Sequence, residues 1–147
     1  MLTINIETVD ALDLGVLVHA EVEPRESDWE RIVERWGRFT RRVRSRGKQP
    51  LCLVISRGGE GPNANQRRAL DAINSKARPR VAVATGSSVA RGIVTAISWF
   101  GHTEIRAFHP DDLEGALRFL GIPPSERATV EGAVAAAQAQ LTAARTG

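Results

Sequence analysis

The chain has 147 residues, of which 42% are hydrophobic and 25% charged, and its formal net charge is +3. This length and composition are typical of one ordinary globular domain and exclude an intrinsically disordered chain. No apolar run approaches the roughly 18 residues of a membrane span, and the first five residues lack the basic leader of a signal peptide, so we expect a cytoplasmic protein.

The first 50 residues predict an antiparallel hairpin followed by an amphipathic helix. Two apolar or alternating stretches, 3–7 and 16–22, flank a turn that contains Asp10, Asp13 and Gly15. Pro24 ends the hairpin, and the sequence Ser27-Asp28-Trp29-Glu30 predicts a capping box at the start of the helix. The apolar residues that follow recur at helical period: Trp29, Ile32, Val33, Trp36, Phe39 and Val43.

The rest of the chain alternates between strands and helices. Residues 51–55 and 80–85 are continuous apolar runs, as expected for strands covered on both faces, and 104–108 is a short last strand. Helices are predicted after each of these strands, and an alanine-rich helix is predicted over 129–143. The order β-β-α-β-α-β-α-β-α-α predicts an α/β domain with a mixed, mainly parallel sheet of about five strands.

The single cysteine, Cys52, lies within the apolar run 51–55. A lone cysteine forms no internal disulfide, and in such a run it behaves as a small buried apolar group. We therefore expect Cys52 in the core and a reducing compartment for the protein.

The loop after the strand at 51–55 is the most unusual segment. Its glycines allow several backbone N–H groups to point toward one ligand, and a helix start adds partial positive charge, which suits a phosphate or carboxylate. Ligands of open α/β sheets bind outside the carboxyl ends of the strands. The alternative is a purely structural turn with serine helix caps. The candidate binding residues are Ser56, Arg57, Gly58, Gly59, Gly61, Asn63, Ser87, Ser88 and Arg91.

Catalytic candidates are few. His109 lies at a strand end beside Asp111 and Asp112, and a relay from Ser56 or Ser87 can be drawn through it. No nucleophile elbow supports that relay, and the two aspartates also complement a helix N-terminus without any chemistry. No pair of residues has a spacing typical of metal ligands. We expect no catalytic residue, no metal and no cofactor.

Charge and apolar surface suggest possible partners. Residues 35–48 contain seven basic side chains and no acid, whereas residues 1–34 contain nine acids. A solvated basic face, partly neutralised by the acidic hairpin, is the favoured interpretation, followed by an acidic protein partner. Nucleic acid and anionic lipid rank last, because the aromatic residues of this helix belong to its core stripe. The predicted third helix is apolar over more than one stripe, so Trp99 and Phe100 are candidates for a homodimer interface.

The C-terminal pattern resembles a known family. The strand 80–85, the helix to Trp99-Phe100, and the segment from Ile105 to Leu120, with its Phe-x-x-Asp-Asp-Leu-x-x-Ala-Leu-x-x-Leu pattern, are similar to the STAS superfold, in particular its SpoIIAA-like (STAS/SEC14-type) branch. The resemblance spans roughly residues 3–121. It implies a STAS-like domain over 1–121 and places the alanine-rich helical extension, 122–147, outside that domain.

The resemblance also implies a function. Domains of this kind are small and non-enzymatic, and they bind a protein partner or a small lipid or nucleotide-like ligand. The family's Asp-Ser-x-Gly loop, whose serine is phosphorylated, corresponds here to Ile55-Ser56-Arg57-Gly58-Gly59, so no phospho-acceptor is carried over. We expect a regulatory module that acts through protein–protein interaction. The alternatives are a carrier or sensor of a small anionic or amphipathic ligand and, less favoured, a minimal hydrolase.

Overall fold

The computed structural model describes residues 2–20, 24–56, 64–88 and 103–141, and its centre is a five-stranded mixed sheet. The strands lie side by side in chain order. The first two pair antiparallel and every later neighbour pairs parallel, so the predicted α/β class and N-terminal hairpin are confirmed. The strands are β1 (Ile4–Val9), β2 (Leu14–His19), β3 (Leu51–Ser56), β4 (Arg80–Thr85) and β5 (Glu104–Phe108).

Helices cover both faces of this sheet. On one face, α1 (Glu26–Ser45) and α2 (Ala64–Ala77) follow β2 and β3. On the other, α3 (Leu113–Leu120) and α4 (Arg127–Ala139) follow β5. The sheet therefore has a separate apolar core on each side, as its continuous apolar strands require. None of the described helices has the length and apolar content that a membrane span requires.

The core under α1 and α2 contains the stripe predicted for α1. Phe39 and Val43 are fully buried there, and Trp36 donates its indole N–H to Asn74 Oδ1 of α2 at 2.9 Å. Cys52 is buried in the same core, as predicted, and burial raises the pKa of its thiol to about 12. This core orders α1 and α2 against one face of the sheet.

The hairpin turn is shorter than its sequence suggests. A single 3₁₀ turn, Asp10–Leu12, connects the strands, and Asp13 ends it with a left-handed φ of 53°. β2 then begins at Leu14, so Gly15 lies in the strand rather than in the turn and pairs with Thr8. A side chain at Gly15 would meet the Trp36 ring, and packing of α1 therefore explains this glycine better than turn formation does.

The predicted capping box at the start of α1 is wrong. The helix begins at Glu26, and Arg25 occupies the N-cap position without a side-chain hydrogen bond. Ser27 thus lies inside the first turn. The Asp28 carboxylate instead accepts hydrogen bonds from Thr3, which precedes β1. A tertiary contact replaces the local cap that the sequence pattern suggested.

The C-terminal helix packs on the same sheet as the rest of the chain. Val130 and Ala137 of α4 are fully buried in the second core, against β1 and β2. The backbone N–H of Leu2 donates to Gln140 O at 3.0 Å, and the buried Asn5 side chain donates to Ala137 O at 3.2 Å. The thin apolar stripe of this helix is therefore buried within the chain itself.

Candidate functional site

The carboxyl ends of the parallel strands form one row of polar side chains. Ser56 of β3 pairs with Thr85 of β4, and His19 of β2 lies one position beyond the pair Val18–Ile55, at the same level. Side chains alternate along a strand. His19, Ser56 and Thr85 therefore face α1 and α2, because the residues two positions earlier all pack into that core: Leu17, Val54 and Val83.

His19 is a buried member of this row. It is 8% exposed, and its ring meets Trp29 edge-on with the centroids 5.7 Å apart. Burial lowers its pKa from 6.5 to about 4, so the imidazole is neutral near pH 7. In the sequence, His19 is only one residue of the predicted hairpin stretch 16–22. Its position at the end of a strand that is parallel to β3 is the signal that could have singled it out.

Thr85 shapes the turn after β4. Its hydroxyl oxygen accepts a hydrogen bond from the backbone N–H of Ser87 at 3.2 Å, which closes a short turn directly after the strand. Ser87 and Ser88 are exposed. A Cβ built on Gly86 would lie 3.9 Å from Pro110 Cγ, so the segments after β4 and β5 lie close together.

His109 follows β5, and its imidazole side chain is exposed. Its Nδ1 accepts a hydrogen bond from the Asp111 backbone N–H at 3.2 Å and lies 3.5 Å from Asp111 Oδ2. In a Ser-His-Asp relay the same nitrogen must donate its proton to the carboxylate. The described geometry does not provide that donor. Asp112 caps α3 by accepting from Gly115 N at 2.9 Å, which is the structural role expected for it.

The starts of α1 and α2 are joined beside this row. Gln66 of α2 donates from Nε2 to Glu26 Oε2 of α1 at 2.7 Å, and Gln66 is itself buried. The sequence pattern did not indicate either residue, because the pair is 40 positions apart. The pair fixes the spacing of the two helix starts above the carboxyl ends of β2 and β3.

The structure brings part of the predicted site together. Ser56, Ser87 and Ser88 lie at the carboxyl ends of neighbouring strands, as predicted. The remaining predicted site and interface residues lie outside the described residues: Arg57, Gly58, Gly59, Gly61, Asn63, Arg91, Trp99 and Phe100.

The basic segment 35–48 is partly neutralised by the hairpin, as the sequence suggested. Arg42 Nη2 lies 3.0 Å from Asp10 Oδ1, and Arg46 Nη2 lies 2.7 Å from Asp13 Oδ1. These exposed pairs join the end of α1 to the turn between β1 and β2. Each is worth at most about 1 kcal/mol, so they orient the arginines more than they stabilise the fold.

Within the described ranges, no three His, Cys, Asp or Glu side chains are grouped as metal ligands would be. No protein-family model matches the chain, and searches of characterised proteins and of solved structures find no match either.

Proposed function

We propose that this chain is a non-enzymatic binding module that recognises a protein partner through the carboxyl end of its parallel sheet. The proposed surface, called here the carboxyl-end surface, consists of Ser56, Ser87, Ser88 and His109 above the buried His19 and Thr85. The row that β2, β3 and β4 form at this end is the observation that carries the proposal.

The burial gradient along the row supports recognition of a partner. His19 and Thr85 are buried and form a fixed floor, whereas Ser87, Ser88 and His109 are exposed at the surface. Fixed polar groups cost little entropy when a partner binds them. His19 is neutral near pH 7, so the floor adds no buried positive charge beneath the surface.

The resemblance to STAS domains supports a regulatory role for such a module. That family acts by binding, and the hydrogen bond that His109 accepts from the Asp111 backbone agrees with binding better than with a relay. A small anionic or amphipathic ligand at the same end is the second candidate. It is favoured by the exposed hydroxyl groups of Ser87 and Ser88, which are typical donors to phosphate oxygens.

Affinity capture with matched variants tests the proposal. The full chain is immobilised as wild type, as Ser88→Arg and as Ala136→Arg, where Ala136 is exposed on α4 at the other face of the sheet. Captured proteins are identified, purified and titrated against each form by calorimetry. A true partner binds wild type and Ala136→Arg with similar affinity and binds Ser88→Arg at least about tenfold more weakly.

The same variants distinguish a small anionic or amphipathic ligand from a protein partner. Nucleoside monophosphates, acidic metabolites and fatty acids are screened by thermal shift. If one of these compounds raises the melting temperature of wild type and of Ala136→Arg but not that of Ser88→Arg, the result favours a small ligand over a protein partner at this surface. A purified partner that binds Ser88→Arg as tightly as wild type would overturn the assignment of the surface.

A further inference from the structure

A cluster of basic side chains lies at the end of the sheet opposite the carboxyl-end surface, where α1 and α2 end. A shallow cleft of about 390 Å³ opens there between the two helices. Four basic side chains line it, from the last turns of the helices and the loops that follow them: Arg44, Lys48, Lys76 and Arg78. We propose that this cleft binds an oligophosphate, that is, two or more linked phosphate groups.

The charge of the cleft is uncompensated. Arg42 and Arg46 of the same helix end pair with hairpin aspartates, but within the described residues none of the four cleft cations has an acidic partner within ion-pair distance. The nearby Glu104 carboxylate is already held by Arg80 Nη2 at 3.1 Å and by Gln49 Nε2 at 3.1 Å. Four convergent positive charges without a counter-charge attract a compact polyanion.

The helix ends that border the cleft are already hydrogen-bonded. Helix C-termini carry partial negative charge, which would oppose an anion. Here the carbonyl of Val43 accepts from the N–H groups of Arg46 and Lys48, and the carbonyl of Arg44 accepts from Gly47 N at 2.9 Å. The carbonyls that would repel the ligand are therefore partly neutralised by backbone donors.

The backbone of the cleft is built to expose its cations. Gly47 has a φ of +70° and Arg78 a φ of 48°, so both helices end in the left-handed conformation that turns the chain outward. Gln49 Nε2 also donates to Arg78 O at 3.0 Å and thereby ties the loop after α1 to the loop after α2. The two loops hold Lys48 and Arg78 on opposite sides of one opening.

The lining specifies the chemical class of the ligand. Arginine and lysine are the side chains that bind phosphate oxygens, the first as a fork and the second as a point charge. Ala77 is the only apolar side chain of the lining, so no aromatic side chain is present there to stack on a nucleobase. Linked phosphates carry about three to four charges near pH 7, which matches the four cations. A free oligophosphate and the phosphate tail of a nucleotide share this chemistry.

A long nucleic-acid backbone fits this end less well. Its phosphates need a continuous basic track. Along α1 the track is interrupted, because Arg38 is paired with Glu34 at 3.0 Å and Arg42 is paired with Asp10. The four cleft cations lie beyond these pairs, at the ends of α1 and α2, which favours a small ligand.

Calorimetric titration with inorganic triphosphate tests the proposal. Wild type is compared with Lys48→Glu and Lys76→Glu, and with Arg67→Glu as a control, since Arg67 is exposed on the same helix α2 but near its start. Circular dichroism confirms that each variant folds. Each cleft variant should bind triphosphate at least about tenfold more weakly, and Arg67→Glu should stay within about twofold of wild type.

Further ligands distinguish the possible sources. ATP should bind with an affinity close to that of triphosphate, since the lining contains no aromatic side chain to hold the base. Sulfate should bind much more weakly, because it carries half the charge. Three results would overturn the proposal. Wild type does not bind triphosphate, both cleft variants bind triphosphate as tightly as wild type does, or wild type binds sulfate as tightly as triphosphate. Because this site lies opposite the carboxyl-end surface, its failure leaves the proposed function untouched.

Discussion

Thr3 donates both its backbone N–H and its hydroxyl to a single oxygen of Asp28, each at 2.7 Å. The pair joins the segment before β1 to the first turn of α1 and is buried. Arg25 completes the cluster, since its Nη2 lies 3.2 Å from the same carboxylate and its backbone N–H donates to the Thr3 hydroxyl. The first helix is thus anchored by a tertiary hydrogen-bond cluster.

Replacing Asp28 should destabilise the fold. Asp28→Ala leaves two buried donors of Thr3 without an acceptor and should lower the free energy of unfolding by about 2–4 kcal/mol. Urea denaturation followed by circular dichroism measures the change. Glu30→Ala, an exposed position on the same helix, should change stability by less than about 0.5 kcal/mol. Equal stability of Asp28→Ala and wild type would show that the cluster is not an anchor.

The same cluster predicts a loss of stability at low pH. Burial alone would raise the pKa of Asp28. The hydrogen bonds from Thr3 and the hydrogen bond and charge of Arg25 lower it by more, so the net pKa lies below the ordinary 3.8. The unfolded chain therefore takes up this proton at a higher pH than the folded chain. The stabilisation is complete above pH 3.8 and is lost as the pH falls through the folded pKa.

His19 predicts a second pH dependence at a higher pH. Its folded pKa of about 4 lies below the ordinary 6.5, so between these values the unfolded chain binds a proton that the folded chain does not. The contribution of His19 to the free energy of unfolding is fully present above pH 6.5 and decreases as the pH falls to about 4. The total loss from this group is about 3 kcal/mol, as an order of magnitude.

Removing the imidazole should flatten that part of the profile. In His19→Leu the difference in unfolding free energy between about pH 7 and pH 4.5 should shrink by about 2 kcal/mol. Denaturant titrations at each pH provide the measurement. Ser88→Leu, at an exposed position without a titratable group, should keep the wild-type profile. A full pH dependence in His19→Leu would argue against a buried neutral imidazole.

Gly15 should resist enlargement because α1 packs directly on β2. A Cβ there would lie 3.2 Å from Trp36 Cζ3 and 3.3 Å from Ile6 Cδ1. Gly15→Val should therefore lower the free energy of unfolding by about 1–3 kcal/mol. Gly132→Ala on α4, where nothing lies within 4 Å, should raise it by about 0.5–1 kcal/mol. Thermal denaturation of both variants measures the contrast, and a stabilising Gly15→Val would contradict the packing argument.

Cys52 should be unreactive in the folded protein. The thiol is buried and its pKa is raised to about 12, so little thiolate is present and no reagent reaches it. Ellman's reagent at about pH 8 should label the native chain far more slowly than the chain unfolded in guanidinium. Rapid labelling of the native protein would place Cys52 outside the core.

Sequence patterns located most of the fold because the strands are continuous apolar runs. The strands at 80–85 and 104–108 have the predicted bounds, and the stripe of α1 is buried as expected. The incorrect predictions concern positions whose role depends on contacts with residues far away in the sequence. The sequence places Gly15 in the turn, because its contact with Trp36 spans 21 positions and leaves no local pattern. The predicted Ser27 cap is likewise replaced by the contact between Asp28 and Thr3.

The candidate site was less predictable for the same reason. Ser87 and Ser88 are candidates from the sequence because serines at a strand end are a local signal. His19 and the pair Gln66–Glu26 were missed, since their role depends on the parallel register and on packing between helices. The cleft between Lys48 and Lys76 also requires the two helix ends to meet, which no local pattern specifies.

Hydrogen–deuterium exchange of the chain in complex with its captured partner tests the proposed function most directly. Binding should slow amide exchange at the carboxyl ends of the parallel strands, in the peptides that contain Ser56, Ser87 and His109. Peptides from α3 and α4 should exchange as in the free protein. Protection confined to α3, α4 or the amino ends of the strands would contradict recognition through the carboxyl-end surface.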